Sequence, residues 1–586
     1  MDAIEQRIHD LIVFLYGISA SPEIEKALWE RISASKSRGS TAQVTAIPGE
    51  PFNEKDVLLI TYGHQFQQES QTHLQTLCTF LNHNLRDAFS GVHILPFFPY
   101  TSDDGFSVVD YRQVNPELGS WEDIAQIGQG FRLMFDAVIN HVSSQSEWFQ
   151  AYKKQIAPYN RYFIAVDPDT DLSQVFRPRA LPLLTHVNTT VGERYVWSTF
   201  SDDQLDLNYA NPQVMLEILD LLLFYVEQGA SLIRLDAIAY LWKEIGTRCI
   251  HLPQTHAAVK LMRAVLDAAA PQTLLITETN VPHKENISYF GQALPNGQKT
   301  DEAQLVYQFP LAPLLLHTFR AEDATILRDW VASLQAPLPA TTFFNFTASH
   351  DGIGVMPARG LLPEAAVQAL VDQVIRHGGQ VSYKTNADGS QSVYELNTTW
   401  YDALTPPAQT ENRTAMMRFL ASQVIMLSLA GVPGIYVHSL FGSRNCQRCV
   451  EETGRARSIN REVFKMPELL ERLSDPHTLS AQIFRDYTRL LRLRRQQPAF
   501  HPNAAQQVIE NLPSQVFGIR RIPTDSTGSL LCLVNCSSAE IDFELELFQN
   551  EFGWQDLIGG LQIDAGVGSV ILHMEPYQFM WIKPVP

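Results

Sequence analysis

From residue 57 onward the chain repeats one pattern: a short apolar run of strand length, then an amphipathic stretch with helical period. The strand-like runs are 57–62, 92–96, 133–139, 232–235, 274–277, 305–309, 342–346 and 434–437. Helical windows at 71–89, 213–227, 256–269, 311–319, 364–376 and 414–429 separate them. Alternation of this kind belongs to parallel β/α units, because a parallel strand needs a crossover helix and is buried on both faces. Eight such units predict a (β/α)8 TIM barrel over 54–504.

The flanks differ in texture. Residues 1–53 are charged, with Ile4, Ile8, Leu11, Ile12, Leu28 and Ile32 at helical spacing and a Ser/Pro-rich stretch after them, which predicts an N-terminal helical extension. Residues 505–586 turn β-rich, with runs at 516–522, 530–536, 541–547 and 577–582, which predicts a small C-terminal β-domain. Two connections exceed ordinary βα loops: 142–207 after the third strand and about 351–412 after the seventh. Both leave the carboxyl ends of strands, where barrel enzymes build their sites, so both are expected to cover substrate.

Composition narrows the function. With 44 basic and 63 acidic side chains the formal charge is −19, which repels nucleic-acid backbones and anionic lipid, so neither is expected as a partner. No apolar run approaches the ~18 residues that cross a bilayer. The start, Met1-Asp2-Ala3-Ile4-Glu5, lacks a basic region leading into an apolar one, and a cytoplasmic location is expected. Six cysteines in 586 residues are too few for a disulfide scaffold, and reduced thiols are expected. Cys446-Gln447-Arg448-Cys449 has redox or half-zinc spacing, but no second Cys or His pair accompanies it, so it is taken as incidental.

Charged side chains mark four strand ends. In Leu232-Ile233-Arg234-Leu235-Asp236-Ala237, the period of two puts Arg234 and Asp236 on one face, and a guanidinium there keeps a nucleophilic carboxylate ionised. Glu278 ends the run Leu274-Leu275-Ile276-Thr277; partial burial near a like charge raises its pKa, as a general acid requires. The stretch 343–352 ends in His350-Asp351-Gly352, and 133–141 carries Asp136, Asn140 and His141. Each carboxylate alone is more often a cap or surface charge; four acid-bearing strand ends in barrel order together point to glycosidic chemistry, which needs convergent carboxylates.

These four stretches resemble, in order, the four motifs of the α-amylase superfamily, glycoside hydrolase family 13. The resemblance implies Asp236 as nucleophile, Glu278 as acid/base, Asp351 as the carboxylate gripping glucosyl hydroxyls, and Arg234, His141 and His350 as supports of the reacting glucose. A closer likeness is to the sucrose phosphorylase branch. It rests on Asp103-Asp104-Gly105-Phe106, Arg177-Pro178-Arg179, Val196-Trp197-Ser198-Thr199-Phe200 and Arg457-Ser458-Ile459-Asn460-Arg461. It implies Asp103, Phe106 and Phe200 as substrate contacts. The N-terminal extension, Asn280 after the acid/base strand, the segment 381–390 before Tyr394-Glu395-Leu396-Asn397, and Phe163-Ile164-Ala165-Val166-Asp167-Pro168 look most like the glucosylglycerate phosphorylases.

That likeness implies a retaining phosphorylase moving an α-glucosyl group between a small glucoside, 2-O-α-glucosylglycerate first among them, and inorganic phosphate, with glucose 1-phosphate as product. Arg179 and Arg457 are the candidate phosphate cations, Tyr394 a hydroxyl donor, and Lys384 and Asn280 candidate acceptor contacts. The alternatives are a sucrose, sucrose 6-phosphate or glucosylglycerol phosphorylase, a hydrolase or transglucosidase, and a catalytically silent binding protein. No cofactor and no metal are expected: Asn140 stands where some amylases place a calcium ligand, without acidic oxygens clustered around it in sequence. A homodimer is left open.

Overall fold

A computed structural model gives the fold. It describes residues 2–39, 51–179, 181–295, 297, 299–334, 338, 340–386, 389–409, 413–524, 528–547, 553–564 and 568–585. Eight strands close a barrel: β1 (Leu58–Thr61), β2 (Gly91–Ile94), β3 (Arg132–Ala137), β4 (Ala230–Leu235), β5 (Leu274–Thr277), β6 (Leu305–Tyr307), β7 (Thr342–Asn345) and β8 (Val432–Tyr436). Each pairs in parallel with its chain neighbours, and β8 closes on β1 with Leu58 opposite Gly434 and Leu59 opposite Ile435. All eight expected strands are therefore barrel strands. Their near-continuous apolar character follows from burial on both faces, side chains filling the interior on one and helices covering the other. The filling is tight enough that a Cβ on Gly434 would lie 2.2 Å from the Phe344 ring.

The two N-terminal helices, α1 (Ala3–Tyr16) and α2 (Ser21–Arg38), form a hairpin outside the barrel. Asp2 caps α1, its carboxylate accepting the Ile4 and Glu5 amides at 2.8 Å. Ile8, Ile12 and Leu15 of α1, with Ile24, Leu28 and Ile32 of α2, bury one stripe against the outer helices Pro212–Glu227 and Pro253–Ala269. Arg7 pairs with Asp267 at 2.6 Å, and the Tyr16 hydroxyl donates to the Tyr209 carbonyl at 3.1 Å. The Ser/Pro-rich segment 40–50 lies outside the described residues.

Both long connections rise from the carboxyl face. The first pairs His141–Ser143 antiparallel with Gln204–Asp206 and carries a sheet of Ala165–Val166, Gly192–Trp197 and Leu184–Thr189. The second is a sheet of Ile353–Gly354, Gln391–Asn397 and Gln380–Thr385; Ala387 and Asp388 within the expected acceptor segment are outside the described residues. The C-terminal strands form one six-stranded and one two-stranded sheet around Leu531, Leu533, Leu545 and Trp554. Trp581 Nε1 anchors them to the barrel by donating to Ser428 Oγ at 2.9 Å.

One expectation fails. Cys446 and Cys449 are joined as a disulfide, not incidental thiols. The first turn of the helix Gln447–Thr453 brings their Cα atoms to 5.3 Å, within bridging range. Cys78, Cys249, Cys532 and Cys536 are free and buried. Among the described residues no helix is long and apolar enough to cross a membrane.

Candidate active site

Strand geometry delivers the three carboxylates to one mouth. Arg234 of β4 donates through Nη1 to Asp236 Oδ1 at 2.8 Å and also to Asp136 Oδ1 beneath it on β3. Asp136 is shared with His93 Nε2 of β2 at 2.6 Å. Burial would raise the Asp136 carboxyl, but Arg234 and His93 hold it down to about 2. A fixed ion pair thus lies directly under Asp236.

After Asp236 the chain turns sharply: Ala237 has φ 48° and ψ 32°, the left-handed region, a conformation that costs a non-glycine residue about 1–2 kcal/mol. The turn aims the Ala237 amide at Glu278 Oε2, 3.1 Å away at the end of β5. Burial raises both carboxyls, Glu278 adding to the rise at Asp236 and Asp351 to that at Glu278, against the Arg234 guanidinium. The pair therefore holds a proton to higher pH than free carboxyls do. That proton sits better on Glu278, which accepts a single neutral amide, than on Asp236, which accepts a guanidinium. An ionised Asp236 facing a protonated Glu278 is the division of labour that retaining glycosyl transfer needs.

Asp351, after β7, is pushed up by burial but pulled well below the carboxylate range by Arg457, whose Nη1 lies 2.6 Å from its Oδ1, and by His350 and Arg461. Burial lowers both His350 and His141, so both imidazoles are neutral near pH 7. His350 stacks on Phe106, ring centroids 4.8 Å apart, and Phe106 also lies 5.6 Å from the Arg234 guanidinium. His141 lies 2.9 Å from the Phe106 carbonyl and packs on Phe200 with centroids 5.3 Å apart. Asp103 and Asp104 both have positive φ, 52° and 50°. Asp104 is held there by Arg461 and, at 2.9 Å, by Arg455, and Asp103 is presented to the cavity.

These residues converge on one open cavity. Its lining includes Asp236, Glu278, Asp351, Asp103, Phe106, His141, Phe200, His350, Arg179, Tyr394, Arg457 and Asn280. Arg234 supports it from below. Lys384 does not line it; its ammonium lies 5.1 Å from the centroid of the Phe176 ring.

Arg457 and Arg179 differ in character. Arg457 is bracketed, Nη1 on Asp351 and Nη2 2.6 Å from Glu395 Oε1. The Arg179 guanidinium carbon is 5.9 Å from the Tyr394 ring centroid, and among the described residues no carboxylate lies within ion-pair distance of it. Burial raises the Tyr394 phenol, which stays a donor. Asn280 projects against Gly354, where a Cβ would fall 2.8 Å from its amide, and its Oδ1 is buried without a partner.

Several lining residues were not singled out in the sequence. Gln204 donates to the Phe106 carbonyl at 2.9 Å and approaches Asp103 at 3.4 Å. Glu395 holds Arg457, and Tyr240 packs edge-on to Phe200 with centroids 5.4 Å apart. Glu395 adjoins the singled-out Tyr394 and Tyr240 follows the Asp236 turn, signals that local proximity alone could have raised; Gln204 carries none. Near the site Lys243 places its ammonium 2.9 Å from Asn140 Oδ1 and 2.5 Å from Asp206 Oδ2. These oxygens are already served by a built-in cation, so the residues present do not fit a calcium ion. Among the described residues no group of His, Cys, Asp or Glu could hold a metal.

Residues 87–353 match the α-amylase catalytic-domain family. The chain is 57% identical over 532 residues to a glucosylglycerate phosphorylase of Allomeiothermus silvanus, covering 91% of each chain. It is 43% identical over 581 residues to the glucosylglycerate phosphorylase of Escherichia coli, covering 99% of this chain and all of the relative. The solved sucrose 6F-phosphate phosphorylase of Thermoanaerobacter thermosaccharolyticum superposes with a TM-score of 0.70 at 25% identity, covering 82% of this chain and 94% of that one. With the carboxylate site standing on a closed parallel barrel, these likenesses mean that the chain belongs to the α-amylase-type barrel enzymes, in the family of the glucosylglycerate phosphorylases.

Proposed function

We propose that the protein transfers an α-glucosyl group, with retention, between 2-O-α-D-glucosyl-D-glycerate and inorganic phosphate, giving α-D-glucose 1-phosphate and D-glycerate. In the first step Asp236 attacks the anomeric carbon. The bond from that carbon to the glyceryl oxygen breaks, and Glu278 gives its proton to the departing oxygen. In the second step a phosphate oxygen attacks the same carbon, the Asp236 ester breaks, and Glu278 takes a proton from phosphate. Asp103, Asp351, His141 and His350 grip the glucosyl hydroxyls, and Phe106 forms an apolar wall. No cofactor enters these steps.

The observation that carries this reading is Arg179: it lines the pocket, and among the described residues no carboxylate pairs with its guanidinium, which suits it to an anion. Glycerate and phosphate are both anions, and would occupy this side in turn. Tyr394 and the orphaned Asn280 Oδ1 offer the acceptor a donor and an acceptor. The names of the relatives support glycerate over fructose or glycerol.

The test is phosphate release from α-glucose 1-phosphate with D-glycerate, fructose, fructose 6-phosphate, glycerol or water alone. Release dependent on D-glycerate is expected. Release with fructose or glycerol instead overturns the acceptor, and release no faster than with water overturns the phosphorylase reading.

A further inference from the structure

A second concentration of positive charge lies one aromatic layer outside the pocket. Its centre is Phe176, which stacks on Tyr240 of the pocket wall with ring centroids 6.3 Å apart. The Lys384 ammonium is 5.1 Å from the Phe176 ring centroid, and the Arg248 guanidinium carbon is 5.7 Å from it. The Phe176 amide donates to the Arg248 carbonyl at 3.0 Å, which fixes the two residues together. Arg359, exposed, follows the short helix Met356–Ala358 in the same excursion as Lys384.

Lys384 is only 6% exposed. A lysine so covered normally meets a carboxylate. Among the described residues, however, no carboxylate lies within ion-pair distance of Lys384, Arg248 or Arg359. The charges that bear on Lys384 are those of Arg359 and Arg248, which together with burial lower its basicity. Lys384 is covered while Arg248 and Arg359 are exposed, and like charges bearing on a covered ammonium are unfavourable until an anion joins them. Cation–π contact with one ring offsets a fraction of that cost and orients the charges without neutralising them.

We propose that Lys384, Arg248 and Arg359 form an anion-docking site at the pocket rim that takes phosphate-type dianions, inorganic phosphate and the phosphate group of glucose 1-phosphate. Arg179 is three residues beyond Phe176 and lines the pocket, so the segment links the outer cations to the inner one. In a chain of charge −19, a local positive patch raises the concentration of anionic substrate at the mouth. The destination of the anion rests on the function proposed above; docking itself does not.

The test uses the full chain and the double variant Arg248→Gln/Arg359→Gln, both exposed side chains. In phosphorolysis, kcat at saturating phosphate is expected to hold, KM for phosphate to rise roughly three- to tenfold, and the fall of kcat/KM with ionic strength to flatten. Native KM and native salt dependence in the variant overturn the proposal. Independently of turnover, inorganic phosphate is titrated into both proteins by calorimetry, in parallel with D-glycerate. Weaker phosphate binding by the variant is expected, with or without weaker glycerate binding. Equal phosphate binding, or an effect on glycerate alone, overturns the site. If the native chain performs no phosphorolysis, the catalytic reading falls and the titration alone decides the docking site.

Discussion

Glu395 grips Arg457 with both carboxylate oxygens, Oε1 to Nη2 at 2.6 Å and Oε2 to Nε at 3.1 Å. Since Asp351 takes the remaining edge of the guanidinium, two carboxylates neutralise this cation in the cavity. Replacing Glu395 with Gln keeps an oxygen acceptor and removes one negative charge. KM for phosphate is expected to fall roughly three- to tenfold, equivalent to about 0.7–1.4 kcal/mol, in initial-rate measurements against phosphate. An unchanged or higher KM would mean that Arg457 is not felt by the incoming anion.

Glu278 is expected to set the alkaline limb of activity. If its raised carboxyl is the proton donor of the proposed first step, turnover should fall as pH climbs through that raised value. Stability follows the same sign. The folded chain holds this proton more tightly than the unfolded one, so the contribution is full below the ordinary Glu value. It is lost as pH rises toward the folded value. Glu278→Gln should therefore abolish the alkaline limb, reduce kcat by roughly 10³ or more, and raise the melting temperature at pH 7. A variant that melts lower at pH 7 would contradict the raised pKa of this carboxyl.

Lys243 joins the first excursion to the barrel through Asp206 and Asn140. Lys243→Met leaves Asp206 buried without its cation, which costs about 3–5 kcal/mol, read by denaturant unfolding. Adding Asp206→Asn to that variant should restore part of the loss, because the stranded charge is then gone. Failure of the double variant to recover would place the cost in packing instead.

Gly354 gives Asn280 its room. A methyl group at Gly354 would lie 2.8 Å from the Asn280 amide, so Gly354→Ala should swing Asn280 aside. The expected loss is roughly tenfold in kcat/KM for the acceptor, about 1.4 kcal/mol, while slow hydrolysis of the glucoside by water is preserved. Equal losses in both reactions would indicate general damage to the cavity.

The barrel and its reactive ends were legible because both depend on neighbours in the chain. An apolar run buried on two faces announces a parallel strand, and Asp236, Glu278 and Asp351 stand where such runs end. Arg234 and Asp236 share a face by the period of two alone. The paired arginine and glutamate at 457 and 395, 62 positions apart, carry no such local sign. Neither does Gln204, which reaches Asp103 only because the first excursion folds back on the mouth. Lys384 shows the limit from the other side: the family likeness implied an acceptor contact, but the strand Gln380–Thr385 turns it to Phe176 instead. The Cys446–Cys449 bond was missed because the pair was set aside for want of a second Cys or His pair, which a metal site needs and a bond across one helical turn does not.

The order of β/α units, the helical start and β-rich end, the three carboxylates, and the negative charge that demands a concentrated cationic pocket for any anion are all legible in the linear chain. Those follow from periodicity, residue type and counting, which need no third dimension. Only the folded chain shows that two carboxylates neutralise Arg457 while none among the described residues pairs with Arg179, that Lys243 serves Asn140 and Asp206, and that the N-terminal hairpin covers the helices Pro212–Glu227 and Pro253–Ala269. The physical reason is that charge and burial are properties of what surrounds a side chain, and on the carboxyl face of a barrel those surroundings are assembled from loops far apart in the chain.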